Sequence, residues 1–153
     1  MACNADEMLD FPQERFLEFC SVADARVANL ITHGNDSSER LGGIQALDAL
    51  IEFDEIDVAQ KTTKFVQALR SVFRGKDLRA MEPAAVALGK ICRPGSSLIS
   101  ELVEAEVKTA LKWLQSDRVE ERWFTAFLVL RELGKMLLHL CIRLSASSLI
   151  RYG

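Results

Sequence analysis

Proline is scarce, with three residues in 153, glycine occurs eight times, and phenylalanine outnumbers tyrosine eight to one. So few turn residues exclude a turn-rich sheet and favour long helices. No run reaches the ~18–20 uninterrupted apolar residues that a membrane span needs. Residues 1–10 carry acids and no apolar run, so neither a secretory signal nor a transit peptide is expected and this stretch reads as a flexible N-terminus. Cys3, Cys20, Cys92 and Cys141 form no Cys-x-x-Cys pair and no short spacing. That argues against a disulfide framework, leaves buried reduced thiols as the expectation, and points to a cytosolic or nuclear compartment. A net charge of −3 with both signs interspersed supplies no strong overall field for nucleic acid or an anionic membrane, which leaves only local patches to consider.

What the chain does have is a repeat. Gly43, Ala84 and Ala126 follow one another at 41 and then 42 residues, with Leu47, Leu88 and Leu130, and Leu50, Ile91 and Leu133, at the same offsets. A small residue four positions before one aliphatic and seven before another lies with them on a single helical face, the small one marking a close approach by a neighbouring helix. A period in the forties is that of two-helix HEAT or armadillo units, which bury their faces against one another in a row. The expected fold is all-α, an α-solenoid of about three antiparallel helix pairs.

Helical spacing predicts a first helix over about 11–31, with Phe16, Phe19, Cys20, Ala23, Val27, Leu30 and Ile31 on its buried face. The turn at His33-Gly34-Asn35-Asp36 follows, and Ser37 or Ser38 is expected to cap a second helix that ends near Phe53. A third begins at about 55–57 with the stripe Phe65, Val66, Leu69, Val72 and Phe73, and Gly75-Lys76-Asp77 stops it. The fourth covers Leu78 to Cys92, with Pro83 expected in its first turn. Arg93-Pro94-Gly95 separates it from a fifth that opens at Ser96 or Ser97. Ser116-Asp117 closes that hairpin, and Arg118 to Lys135 returns as the sixth.

No catalytic, metal or cofactor site is expected. His33 and His139 lack Cys or His partners at ligand spacing. Glu52, Asp54, Glu55 and Asp57 straddle a turn, where acids suit a helix N-terminus better than they suit paired catalysis. Gly42-Gly43 follows no strand, and no phosphate-loop lysine accompanies it, so close helix packing explains it. Trp113 and Trp123 flank the last hairpin turn and read as inter-helix packing. The densest basic cluster, Arg70, Arg74, Lys76 and Arg79, is the candidate partner-contact surface.

Three stretches carry a more specific likeness. Glu39-Arg40-x-Gly42-Gly43-Ile44-x-Ala46-Leu47-x-Ala49-Leu50-Ile51 is the first, and Glu101 to Leu114 with its Glu-Val-Lys and Trp-Leu pairs is the second. Arg122 followed by Leu128-Val129-Leu130-Arg131-Glu132-Leu133 is the third. Together they resemble the N-terminal HEAT solenoid of the target of rapamycin (TOR) kinases, over roughly residues 16–135. Members of that family are very large serine/threonine protein kinases of the phosphatidylinositol-kinase-related class. The resemblance implies a scaffold that contacts protein partners, Raptor-type regulatory subunits among them, in a cytoplasmic setting where endomembrane-associated complexes also form. The kinase domain of such proteins lies far C-terminal of this region. Nothing here matches its phosphate-gripping lysine, its catalytic-loop aspartate or its metal-binding aspartate, so this stretch carries no kinase chemistry of its own. The rival reading is a stand-alone armadillo-like or HEAT-like adaptor of an unrelated complex.

The likeness stops after Lys135. Inserting one adenine at the Lys135–Met136 junction can restore an Asn-Ala-Pro-Thr-like continuation, so residues 136–153 read as a frameshifted tail on a repeat domain spanning 11–135. An uncapped last repeat would leave Leu130, Leu133, Leu137, Leu138 and Leu140 as an exposed apolar patch and invite self-association.

Overall fold

The computed structural model describes residues 13–53, 58–93, 97–116 and 119–150, and these form six helices with no strand among them. The helices are α1 (Gln13–His33), α2 (Ser37–Phe53), α3 (Val58–Arg74), α4 (Leu78–Ile91), α5 (Ser97–Ser116) and α6 (Glu120–Ile150). The expected starts at Phe11 and at 55–57, the breaks at Pro94-Gly95 and Asp117, Cys3 and the residues 1–10 lie outside the described residues.

The central repeat shows most plainly why the chain folds this way. On α3, Thr62, Phe65, Val66, Leu69, Val72 and Phe73 are buried while Thr63, Lys64, Gln67 and Arg74 are exposed, one apolar stripe at helical spacing. The helix stops where the Gly75 N–H turns back to the Val72 carbonyl at 3.0 Å. Asp77 then caps α4, its carboxylate accepting from the Arg79 N–H at 3.2 Å. Asp36, 41 residues earlier, does the same for α2, accepting from the Glu39 N–H at 2.8 Å.

Capping of α2 therefore falls to Asp36 and not to Ser37 or Ser38. The Ser37 hydroxyl instead donates to Asp77 at 2.6 Å, tying the N-termini of α2 and α4 together. Pro83 also departs from expectation. It is the sixth residue of α4, in the second turn, where its missing N–H deprives the Arg79 carbonyl of its intrahelical donor.

The helices stack as three antiparallel pairs in two layers. Within pairs, α1 packs on α2, α3 on α4, and α5 on α6; between pairs, α1 packs on α3, α2 on α4, and α4 on α6. This is an all-α helical-repeat solenoid, with α1, α3 and α5 in one layer and α2, α4 and α6 in the other. Most of the matched positions behave as a repeat requires, Leu50 and Leu130 being only half-buried. Ala84 and Ala126 are fully buried, as are Leu47 and Leu88, while Ile91 and Leu133 are close to it.

Gly43 is the tightest of these contacts. A Cβ there would meet the Ile31 backbone nitrogen, the Ile31 Cγ1 and the Leu30 Cβ, each at 3.0 Å, so α1 and α2 touch with no space for a side chain. Burial of leucines such as Leu47 and Leu88 contributes roughly 1.5–3 kcal/mol each to holding the pairs together.

Two apolar expectations need correction. Phe16, Phe19 and Leu30 are 50%, 68% and 42% exposed, so only Val27 and Ile31 of the predicted α1 stripe are buried outright. The predicted patch on α6 is differently composed as well: Leu133 is buried in the core, Leu130 is half-buried, and the exposed apolar side chains include Trp123, Phe127, Leu137 and Leu138. Leu140 has no described side chain. α6 runs without interruption through Lys135 and Met136 to Ile150, and Met136 packs into the core.

Candidate functional site

Polar groups concentrate at the seams between pairs. Lys61 on α3 meets Asp24 on α1 at 3.2 Å, and Lys90 on α4 meets Asp48 on α2 at 2.6 Å. At the next seam Arg70 on α3 pairs with Glu106 on α5, and Arg131 on α6 with Glu82 on α4 at 2.9 Å. Among the described residues each seam thus carries an ion pair in each layer. Asp24 and Glu106 are buried, so each needs its cation to offset desolvation. Asp48 and Glu82 are more exposed, and their pairs serve register more than energy. Sequence reasoning missed this ladder, although an acid inside an apolar stripe, as Asp24 is between Cys20 and Val27, is its visible mark.

The four basic residues singled out from the sequence are not one patch. Arg74, Lys76 and Arg79 are exposed around the turn from α3 to α4. Arg70 lies one helical turn earlier, half-buried, with its guanidinium engaged by Glu106. Arg79 also borders an open groove of about 540 Å³ between α2 and α4, floored by Ile44, Pro83 and Val86 and edged by Asp48 and Glu82. No motif pointed to this groove; Pro83 was the available signal.

A second hollow of about 260 Å³ lies among α4, α5 and α6, lined by Cys92, Ile99, Val103, Val107 and Met136. Burial, with Glu106 nearby, pushes the Cys92 thiol up to about 12, which keeps it protonated and unreactive at neutral pH. Cys92 and Cys20 are free thiols. His33 is exposed in the last turn of α1, and the side chains of His139 and Cys141 lie outside the described residues, as do Asp54, Glu55 and Asp57. Among the described residues no group of His, Cys, Asp or Glu is placed to hold a metal, and no helix is long and apolar enough to cross a membrane.

Trp113 packs partly buried against the core, as expected of inter-helix packing, whereas Trp123 is 48% exposed on α6. Gly43 answers to close packing, but its neighbour Gly42 does not: it is exposed, and a Cβ there would meet nothing within 4 Å.

Fold and surface together define a helical-repeat stacking module. Its sequence places it more narrowly. The chain is 37% identical over 131 residues to the serine/threonine-protein kinase TOR of rice, covering 85% of this chain and 5% of that protein. It is 33% identical over 138 residues to the serine/threonine-protein kinase tor1 of fission yeast, covering 86% of this chain and 6% of that protein. With TOR of Arabidopsis thaliana it shares 39% identity over 111 residues, 72% of this chain and 4% of that protein. No protein-family model matches the chain. The chain is homologous to a segment of the TOR serine/threonine kinases, and it spans about one-twentieth of their length.

Proposed function

We propose that the chain is a non-catalytic scaffold segment of TOR type, acting in the cytoplasm by presenting rigid helical ridges to protein partners, with Raptor-type regulatory subunits the first candidates. One observation carries the reading: the homology to TOR kinases runs through a stack whose buried carboxylates Asp24 and Glu106 are paired across its own seams, leaving Arg74, Lys76 and Arg79 turned to solvent, with Arg79 bordering the α2–α4 groove. Cations on an otherwise acidic chain suit an acidic partner segment, and the apolar groove floor suits an aliphatic anchor beside it. The kinase activity of the relatives belongs to those full-length proteins.

The test is direct binding of the purified chain to a Raptor-type subunit, with the triple variant Arg74→Glu, Lys76→Glu, Arg79→Glu as control. The reading requires binding that the variant weakens at least about tenfold, a change of roughly 1.4 kcal/mol. Equal binding by both proteins would move the contact elsewhere, and no binding to this or any TOR-complex subunit would remove the reading.

A further inference from the structure

Of the six described helices, α3 alone contains no acid, and it carries Lys61, Lys64, Arg70 and Arg74. Lys61 and Arg70 stand nine residues apart, which is two and a half turns, so they leave the helix from opposite flanks. Both are spent inside the stack, Lys61 on the buried Asp24 of α1 and Arg70 on the buried Glu106 of α5.

Between those flanks lies the outer face of α3. Lys64, Gln67, Ser71 and Arg74 follow one another at steps of three, four and three residues, which aligns them along about 15 Å of helix. Lys64, Gln67 and Arg74 are exposed, and the half-buried Ser71 turns its hydroxyl to the Ala68 carbonyl at 2.6 Å. Lys76, also exposed, continues the cations in the turn that follows. Among the described residues no carboxylate pairs with Lys64, Arg74 or Lys76. With α1 bridged to one flank and α5 to the other, this is a lateral face of the second helix pair.

We infer that this face binds an acidic, extended segment of a partner protein, laid along α3 with its carboxylates on Lys64, Arg74 and Lys76. An extended chain advances about 3.3 Å per residue, so roughly five residues span the stripe. The stripe offers no apolar side chain, so recognition is by charge and is salt-sensitive. A short segment also suits it better than a large polyanion. The chain as a whole carries −3, so a membrane or a nucleic acid strand extending past the patch meets net repulsion, and no ring on the stripe can stack a base. The inference rests on the scaffold reading only in taking a protein as occupant; it adds Lys64 and the line along which the segment lies.

Titration of the whole chain with a labelled, unstructured Glu-rich peptide of about ten residues tests it. The wild type is expected to bind, and to bind at least about tenfold more weakly on going from low salt to about 0.3 M. Lys64→Glu is expected to weaken binding at least about threefold, and Lys64→Glu with Arg74→Glu at least about tenfold. Arg26→Glu, the same charge change at an exposed site on α1, is expected to bind as the wild type does. Circular dichroism checks the fold, and Lys64→Gln with Arg74→Gln replaces the reversed pair if that variant loses helix. Vesicles containing phosphatidylserine and a single-stranded oligonucleotide are titrated in parallel. No peptide binding by the wild type, unchanged binding by Lys64→Glu, an equal loss in Arg26→Glu, or tighter binding of the vesicles or the oligonucleotide would each overturn the inference. Peptide binding that needs Lys64, beside a Raptor-type subunit that does not bind, would keep the inference and remove that partner.

Discussion

Lys90 of α4 holds both carboxylate oxygens of Asp48 on α2 at 2.6 Å, across the same face of the stack on which Arg131 of α6 meets Glu82 of α4. One pair of this kind at each seam of one layer fixes how far successive helices slide along each other. Both members of the first pair are partly exposed, so its energy is modest and its value is register.

Reversing one charge in that pair puts like charges together. Asp48→Lys or Lys90→Asp alone is predicted to lower stability by about 0.5–1 kcal/mol, and the double reversal to recover most of it. Urea unfolding of the four proteins measures the coupling; independent single effects would show that the pair does not connect the two helices.

The pair of glycines on α2 gives opposite predictions. Gly43→Val drives a side chain into Ile31 and Leu30, and is expected to cost about 1–3 kcal/mol or more by overpacking. Gly42→Ala meets open space and relieves backbone entropy, so it is expected to stabilise the folded chain by roughly 0.5–1 kcal/mol. Thermal midpoints that moved together would contradict the assigned close approach.

Glu106 is buried and reaches its cation on another helix. Arg70→Met is expected to cost about 2–3 kcal/mol, below the usual 3–5 kcal/mol for a broken buried pair because the guanidinium is itself partly exposed. Glu106→Gln in the same background removes the stranded charge and should return part of the loss. Lys108→Ala, which breaks an exposed pair with Glu104 on the same helix, should leave the unfolding midpoint where it was.

Acid should lower the stability of the chain through Glu132 of α6. Burial pushes the Glu132 carboxyl up, but hydrogen bonds and charge from Lys135 and Arg131, both at 2.8 Å, outweigh it and hold the group below its ordinary value. A carboxylate depressed in the folded state binds protons more readily when unfolded, so its contribution is full above the unfolded value of about 4.3 and is lost as pH falls through the folded pKa. Glu132→Gln is therefore predicted to flatten the fall in unfolding midpoint below about pH 5. An unchanged acid limb would show that Glu132 does not contribute to it.

Much of this architecture is legible in the sequence because the stack repeats its own spacing. Gly43, Ala84 and Ala126 announce a shared face before any coordinate does, and the buried Leu47 and Leu88 bear the pattern out, while Leu130, the third of that set, is half-buried. The exposed Phe16, Phe19 and Trp123 do not follow from periodicity, which reports that a helix has an apolar face but not whether a neighbour covers it. Pairings such as Arg70 with Glu106 link residues 36 apart on different helices, so only the stacking geometry brings them together. Within the basic cluster Arg70 is set apart from Arg74 for the same reason, since Glu106 of α5, invisible to sequence proximity, engages its guanidinium.

Native-state hydrogen exchange tests the row-like origin of stability most directly. In a stack, the α3–α4 pair is braced on both sides and the outer pairs on one, so amides around Leu69 and Leu88 are predicted to exchange slowest, with α1, α2, α5 and α6 opening at lower free energy. Equal protection across all six helices, lost in one step, would mean a single shared core and contradict the account.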